Sequence, residues 1–281
     1  AETCAGIGLV LWGWRMGVTF DDPTYFDEVE RSLYNGVLSG MSFDGSLFHY
    51  VNPLESRGDH ARKPWFECAC CPPNIARLIL SIGRYIATES NDQITINLPI
   101  GCEIDSAAGG RTLSVTGEFP WSGEVVVRSD RPQSVRYRRP GFANSSGQAT
   151  YETIEVGSGR DASIELPIRP KLVRANPLIT ENIGKVAVMS GPLVYCLNGE
   201  DAVQGVGTFQ IEPDAIFTQE THDDIRHQVT FRVRGRRRRT EWPDEPYLNR
   251  APEWTDATAE MVPYFAWEST GPMQVWIREL D

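Results

Sequence analysis

The chain lacks several things that would each settle a function class. None of its 281 residues fall in an apolar run near the roughly 18 that a membrane-crossing helix needs, which excludes a helical span. Positive charge is also short: 27 Lys and Arg against 38 Asp and Glu leave a net charge of −11. A nucleic-acid backbone requires clustered cations facing phosphate, so this balance argues against such a partner. One local exception is residues 234–239, which read Arg, Gly, Arg, Arg, Arg, Arg. Glu241, Asp244 and Glu245 follow at once, and the run reads as a solvated loop or strand edge. The sequence shows no internal repeat and no low-complexity tract, and nothing at its start resembles a signal peptide. It opens on Ala1, already within helical sequence, so the expectation is that the natural N-terminus lies further upstream.

What is present is globular sequence, 41% apolar and long enough for one large or two ordinary domains. Residues 1–90 have helical periodicity. Ile7, Leu9, Val10, Leu11, Trp12 and Trp14 predict an apolar helix buried on most sides. Asp22 as N-cap and Pro23 in the first turn start a second helix, with Phe26, Val29, Leu33 and Val37 inward and Glu28, Glu30 and Arg31 on the wet side; Gly40 ends it. Asp44 and Gly45 mark a hairpin-like turn, and a third helix is predicted from about Pro73 to Ile86. Beyond residue 91 the period becomes two, as in Ile94, Ile96, Leu98 and Val135, Tyr137, between Gly and Pro punctuation. The predicted class is α+β multidomain: helices over 1–90, a β-sandwich over 91–185, and a second sandwich or C-terminal β domain over 186–281. Three helices cannot cover their own apolar faces, so the front segment reads as the end of a larger helical domain.

Six cysteines are distributed unevenly, with Cys68, Cys70 and Cys71 within four positions directly before Pro72, Pro73 and a helix start. Cys4 lies two residues after Glu2, so two short runs offer carboxylate and thiolate ligands enough for one tetrahedral zinc shell. Glu2 and Cys4 give one pair; Cys70 with Cys71, or Cys68 with Cys71, gives the other. A helix N-terminus behind them favours thiolate, which is also a nucleophile. Neighbouring cysteines bridge only with strain, so the cluster favours a reducing compartment, and a cytoplasmic location is expected. Cys102 and Cys196 lie in strand-like sequence and read as small core residues. The C-x-x-C spacing of Cys68 and Cys71 admits a second reading, thiol oxidoreductase, although no βαβ pattern surrounds it. A third is a non-catalytic carbohydrate-binding or dimer-forming β module with Trp242, Tyr247 and Trp254 as sugar platforms.

Several runs together resemble glycoside hydrolase family 127, the β-L-arabinofuranosidases, and relatives such as family 146. They are Glu2, Thr3, Cys4, Ala5 with Trp12, Arg15 and Met16; Glu30, Arg31, Leu33, Tyr34, Asn35; Tyr50, Val51, Asn52, Pro53, Leu54; and Cys70, Cys71, Pro72, Pro73, Asn74, Ile75, Ala76, Arg77. Gly191, Pro192, Leu193, Val194, Tyr195, Cys196 and Val262, Pro263, Tyr264, Phe265, Ala266, Trp267, with Met273, Val275 and Trp276, agree at the rear. The resemblance implies the end of an (α/α)6 barrel followed by β-sandwich domains, and zinc held by Glu2, Cys4, Cys70 and Cys71. It implies Cys70 as nucleophile with Tyr50 beside it, Cys68 as a nearby cysteine that is not a ligand, and retaining hydrolysis of an arabinofuranoside in an oligosaccharide or glycoconjugate. The family's acid/base glutamate and substrate-binding histidines would precede Ala1, and the expected assembly is a homodimer through the β domains. Of His49, His60, His222 and His227, only His49, next to Tyr50, is placed to approach the site. Glu268, Ser269, Thr270 and Gly271, and Asn198, depart from the family pattern.

Overall fold

The computed structural model describes all residues except 91–92, 108–109, 200–206, 224–228, 240, 242–246, 248, 250, 268–270 and 281. His227, Trp242, Asp244, Glu245, Glu268, Ser269 and Thr270 thus lie outside the described residues. Among the described residues no helix is long and apolar enough to cross a membrane.

Helix α1 (Thr3–Phe20) packs against α2 (Thr24–Arg31) through its small residues. A Cβ on Gly17 would stand 2.5 Å from the Phe26 ring, so glycine is what lets the two helices approach. Ile7 and Val10 are fully buried with Phe26, Val29 and Ile75. The expectation that α1 is covered on most sides does not hold: Leu9, Trp12 and Phe20 are 38%, 55% and 63% exposed. The described elements pack against only one side of it. The N-cap of α2 is Pro23 and not Asp22 as expected; Asp22 stands one residue earlier and accepts hydrogen bonds from the Thr24 N–H at 2.9 Å and hydroxyl at 2.7 Å.

After Arg31 the helix widens into a π segment (Ser32–Val37) and tightens to a 3-10 turn (Leu38–Gly40). Asn35 sits in the wide part. Its amide nitrogen donates to the carbonyls of Arg31 and Pro192, each at 2.8 Å, while its oxygen accepts the Val194 N–H at 2.8 Å. A side chain shared between the helix and a distant strand is the sort of competing bond that marks π geometry. Glu30, placed on the wet side by sequence, is instead buried, with Arg138 Nη2 2.9 Å from its carboxylate. The turn holding it faces the first β unit, not water.

A short strand β1 (Glu55–Arg57) precedes α3 (Cys71–Leu80) and the single turn α4 (Gly83–Ile86), so the predicted third helix is broken at Ser81. Next come two facing four-stranded sheets. One contains β2 (Ala87–Ser90) and β3 (Gln93–Ile96), and the other contains β4 (Cys102–Asp105), β5 (Thr112–Gly117) and β6 (Glu124–Ser129). β7 (Gln133–Arg139) and β8 (Thr150–Val156) complete the first sheet, and β9 (Ala162–Glu165) the second. Ile94, Ile96, Val115, Val127, Val135 and Leu166 fill the space between them, as period-two alternation predicts for a sandwich.

The C-terminal unit differs from that pattern. Its strands are β10 (Pro170–Arg174), β11 (Lys185–Ser190), β12 (Leu193–Asn198), β13 (Phe209–Ile211), β14 (Phe217–Thr221), β15 (Val229–Arg238), β16 (Trp254–Pro263), β17 (Pro272–Gln274) and β18 (Ile277–Glu279). They form one sheet, with β14 on β15 and β1 joined at the β17 end. Along one edge β11 pairs with both β18 and β12, so the path β12, β16, β15, β13, β18, β11 returns to its start. Val188, Tyr195, Phe209, Phe231 and Met261 point inside this ring. The expected second sandwich is therefore a single sheet wrapped on itself. Alternation looks the same in either arrangement, because in both every second residue faces the core.

Among the contacts that tie the units together, three involve buried or half-buried polar side chains. Arg138, with no exposed surface, pairs with Asp27 and Glu30 of α2 and donates from Nε to the Asn97 carbonyl at 2.5 Å. Asn35 bonds to β12, and the Tyr264 hydroxyl donates to the Pro53 carbonyl at 2.6 Å.

Candidate metal centre

Residues 1–4 and 49–52 run side by side. Glu2 and Val51 form an antiparallel bridge, the Thr3 N–H donates to the Tyr50 carbonyl at 2.9 Å, and the Asn52 N–H donates to the Ala1 carbonyl at 2.8 Å. Thr3, fully buried, fixes the pairing from within. Its hydroxyl donates to the His49 carbonyl at 2.8 Å and accepts from Asn52 Nδ2 at 3.1 Å; the same Nδ2 reaches the Gly36 carbonyl at 2.8 Å. Because Thr3 lies between Glu2 and Cys4, these bonds hold both flanking side chains over the segment that carries Tyr50.

The second half of the site is the start of α3. Cys70 is its N-cap and Cys71 its first residue, followed by two prolines whose missing N–H groups cost nothing in a first helical turn. The Cys70 N–H bonds to the Cys68 carbonyl at 2.9 Å, and the Asn74 N–H to the Cys70 carbonyl at 3.2 Å. Folding back in this way, the turn aims two sulfurs at α1. Cys70 Sγ lies 3.4 Å from Cys71 Sγ and 3.7 Å from the Glu2 carboxylate, and Asn74 Nδ2 donates to Cys4 Sγ at 3.3 Å. One ligand atom from each of Glu2, Cys4, Cys70 and Cys71 lies within 4.8 Å of all the others. A tetrahedral zinc shell with thiolates at about 2.3 Å has sulfur–sulfur edges of about 3.8 Å, so the donor set fits in both chemistry and size. Cys68 lies outside that group.

Electrostatics single out one sulfur. Burial raises the Cys4 and Cys71 thiols, and the hydrogen bond to Cys70 raises Cys68. Desolvation also pushes Cys70 upward, but hydrogen bonds from Cys71, Cys4, Tyr50 and Cys68 outweigh it and leave that thiol below its ordinary value. A negative charge in the cluster thus settles on Cys70. The hydrogen bond to Cys70 holds the Tyr50 hydroxyl protonated, its pKa pushed up to about 12.

A second donor group, Glu220, His222 and Glu260, lies on the outside of the C-terminal barrel. There Arg232 Nε sits 2.6 Å from Glu220, already supplying the cation that those carboxylates attract.

The chain matches a family description reading β-L-arabinofuranosidase, GH127 catalytic domain, over residues 1–84, and the glycoside hydrolase family 127 C-terminal domain over residues 170–278. The chain belongs to glycoside hydrolase family 127. A non-reducing end β-L-arabinofuranosidase of Bifidobacterium longum subsp. longum is 31% identical over 99% of this chain and 49% of its own. The crystal structure of a family 127 β-L-arabinofuranosidase from Geobacillus stearothermophilus superposes with a TM-score of 0.88 at 32% identity, covering 100% of this chain and 50% of that one. Another solved family 127 β-arabinofuranosidase gives 0.87 at 26% identity, covering 99% and 49%. This family 127 chain thus spans about half the length of the relatives it matches.

In this family 127 chain the structure brings Glu2, Cys4, Cys70 and Cys71 together and sets Tyr50 against Cys70. His49 does not enter the cluster. Its ring is stacked between His60 at 4.7 Å and Trp267 at 5.7 Å, and burial, Arg62 and His60 push its pKa down to about 3. Glu28 forms a surface pair with Arg31, and Glu30 pairs with Arg138, so neither faces the sulfurs. Sequence reasoning missed four supporting residues, among them Thr3, Asn52, and Asn74 on the Cys4 sulfur. Only the position of Thr3 between two candidate ligands, and of Asn74 one turn after Cys70, could have hinted at them. His60 is a fourth, its Nε2 2.8 Å from the Val51 carbonyl.

Proposed function

We propose that the chain is the C-terminal portion of a zinc-dependent retaining glycosidase that releases L-arabinose from β-L-arabinofuranosides. The observation that carries this is the convergence of Glu2, Cys4, Cys70 and Cys71 within 4.8 Å, from two runs almost seventy positions apart. These four residues would hold zinc, which supplies positive charge that keeps the sulfurs deprotonated. Cys70 Sγ attacks the anomeric carbon as the bond to the leaving oxygen breaks. That oxygen takes a proton from a carboxylic acid which, by the family resemblance, precedes Ala1. Water then attacks the same carbon, the carbon–sulfur bond breaks, Cys70 leaves as thiolate, and the water's proton passes to the carboxylate. Tyr50 donates to the Cys70 sulfur and fixes its direction.

The front helices are on this reading the last helices of an (α/α)6 barrel, with the bare side of α1, Leu9, Trp12 and Phe20, facing the helices before it. The first boundary lies near residue 90, and the second, read from sequence near 185, is better set at Pro170, because β10 pairs with β11 in the C-terminal sheet. The substrate is an arabinofuranoside in an oligosaccharide or glycoconjugate, and the assembly a homodimer through the β domains. The unbridged state of all six cysteines suits the cytoplasm.

The test is a set of measurements on the intact protein. Elemental analysis should find about one zinc per chain, and a slowly hydrolysed arabinofuranosyl donor should add one pentosyl mass to the Cys70 peptide. Cys4→Ser should lose the metal and the turnover together. Full turnover by metal-free protein, or an adduct on a carboxylate, would refute the reading.

A further inference from the structure

The arginine run of residues 234–239 is unused by the chemistry above, and the fold gives it a definite geometry. From Phe231 to Arg236 β15 alternates: Phe231 and Val233 are buried in the barrel, and a Cβ on Gly235 would strike the Gln210 carbonyl and the Phe209 ring. Arg232, Arg234, Arg236 and Arg238 therefore all point outward, about 6.8 Å apart along the strand. Register extends the patch sideways. Arg236 stands opposite Gln210 of β13, Gln210 opposite Arg278 of β18, and Arg278 opposite Lys185 of β11.

Like charges in a row need a reason. Arginines often protect an exposed sheet edge from pairing, but β15 is paired on both sides, with β16 on one and with β13 and β14 on the other. They are neutralised internally only in part. Arg232 pairs with Glu220, and Arg236 reaches Asp256 only at 3.9 Å; Arg234, Arg238 and Arg278 have no ion pair among the described residues. In a chain of net charge −11, this face is the anomaly.

We propose that this face binds a carboxylated polysaccharide, a uronate-bearing glycan that carries or accompanies the arabinofuranosyl substrate. The proposal rests on the glycosidase reading for its choice of glycan. Guanidinium groups match carboxylates as two-point donors. The residues opposite them suit a sugar chain: Thr258 faces Arg234 with a hydroxyl, and half-buried Trp254 faces Arg238 with an aromatic surface. A denser polyanion such as nucleic acid fits less well, because Asp256 and Glu260 stand on the same face and the whole chain repels it.

The experiment is affinity electrophoresis of the intact protein through gels containing polygalacturonate, neutral arabinan or duplex DNA. Retardation by polygalacturonate is expected, lost at high salt and weakened at least tenfold in R234Q/R236Q/R238Q, and less so in the corresponding triple lysine variant, which keeps the charge but not the two-point geometry. Hydrolysis of a small arabinofuranoside should be unchanged in both. Unfolding of the glutamine variant would shift the comparison to single substitutions and to the salt series of the parent protein. Equal retardation of parent and glutamine variants would overturn the proposal, as would stronger retardation by DNA than by polygalacturonate, or conversion of a parent dimer to monomers by the same substitutions. Retardation without any arabinofuranosidase activity would sink the glycosidase reading and leave the surface standing.

Discussion

Replacing Arg138 with methionine should be among the most damaging single changes far from the sulfur cluster. Arg138 has no exposed surface, and the side chains it neutralises, Asp27 and Glu30, are 24% and 2% exposed. The contact with Glu30 is close but off the line of a hydrogen bond, so it acts chiefly through charge. Methionine keeps the volume and removes the charge, leaving Glu30 with nothing to offset its desolvation. Breaking a buried pair from one side costs about 3–5 kcal/mol. For a chain of this size that corresponds to a fall in Tm of roughly 10 °C.

The pH dependence gives the sharper test. Burial raises Glu30 above its ordinary value, and Arg138 opposes that rise. A carboxyl whose folded pKa exceeds its unfolded one binds more protons when folded, so it costs stability as pH climbs through the folded pKa and costs nothing below the unfolded pKa. Without Arg138 the upward shift grows, so the penalty of R138M should shrink as pH falls from 8 toward 5. R138M/E30Q should recover at least half of the loss at pH 8. Differential scanning calorimetry at several pH values reads all three. An R138M protein melting within about 2 °C of its parent at every pH would mean that the triad is ornamental and the reasoning mistaken.

Other outcomes follow from the site. Thr3→Val keeps the shape but removes two hydrogen bonds, and should lower stability by about 1–3 kcal/mol while weakening metal retention against a chelator titration; unchanged retention would show that Thr3 does not position its neighbours. Tyr50→Phe should keep about one zinc per chain and lower kcat by about a hundredfold to a thousandfold, as expected for loss of one positioned donor; loss of the metal instead would make Tyr50 a structural prop. His49, held down to about 3 from an ordinary 6.5, should stay neutral from pH 5 to 8 in a proton NMR titration. Because its folded pKa is depressed, its contribution to stability is complete above about 6.5 and is lost as pH falls toward 3, which a His49→Gln variant should flatten.

The sequence was informative where one local rule decides the outcome. Period-two runs such as Ile94, Ile96 and Val135, Tyr137 became the sandwich core, because alternation alone sorts side chains between core and water. Glu2, Cys4, Cys70 and Cys71 stood out because sulfur is rare enough for spacing to carry meaning. Legibility ended where a residue's fate depends on a distant partner. Glu30 has the ordinary pattern of a helix surface, and nothing near it announces that Arg138 will cover it. Asn35 reads as a mild helix residue, yet Pro192 and Val194 recruit it and the helix swells around it. Closure of the C-terminal sheet depends on β11 meeting both β12 and β18, a matter of register between strands some ninety residues apart.

Asn35 and Asn52 also connect parts of the molecule that share no chemistry. From Val194 the chain of bonds runs to Asn35, through the adjacent Gly36 carbonyl to Asn52, and on to Thr3 between two of the candidate ligands. The far barrel is by this route a buttress for the sulfur cluster and not a detachable appendage. Trimming the protein to its front half would loosen the very atoms that such a shortened enzyme would be made to keep.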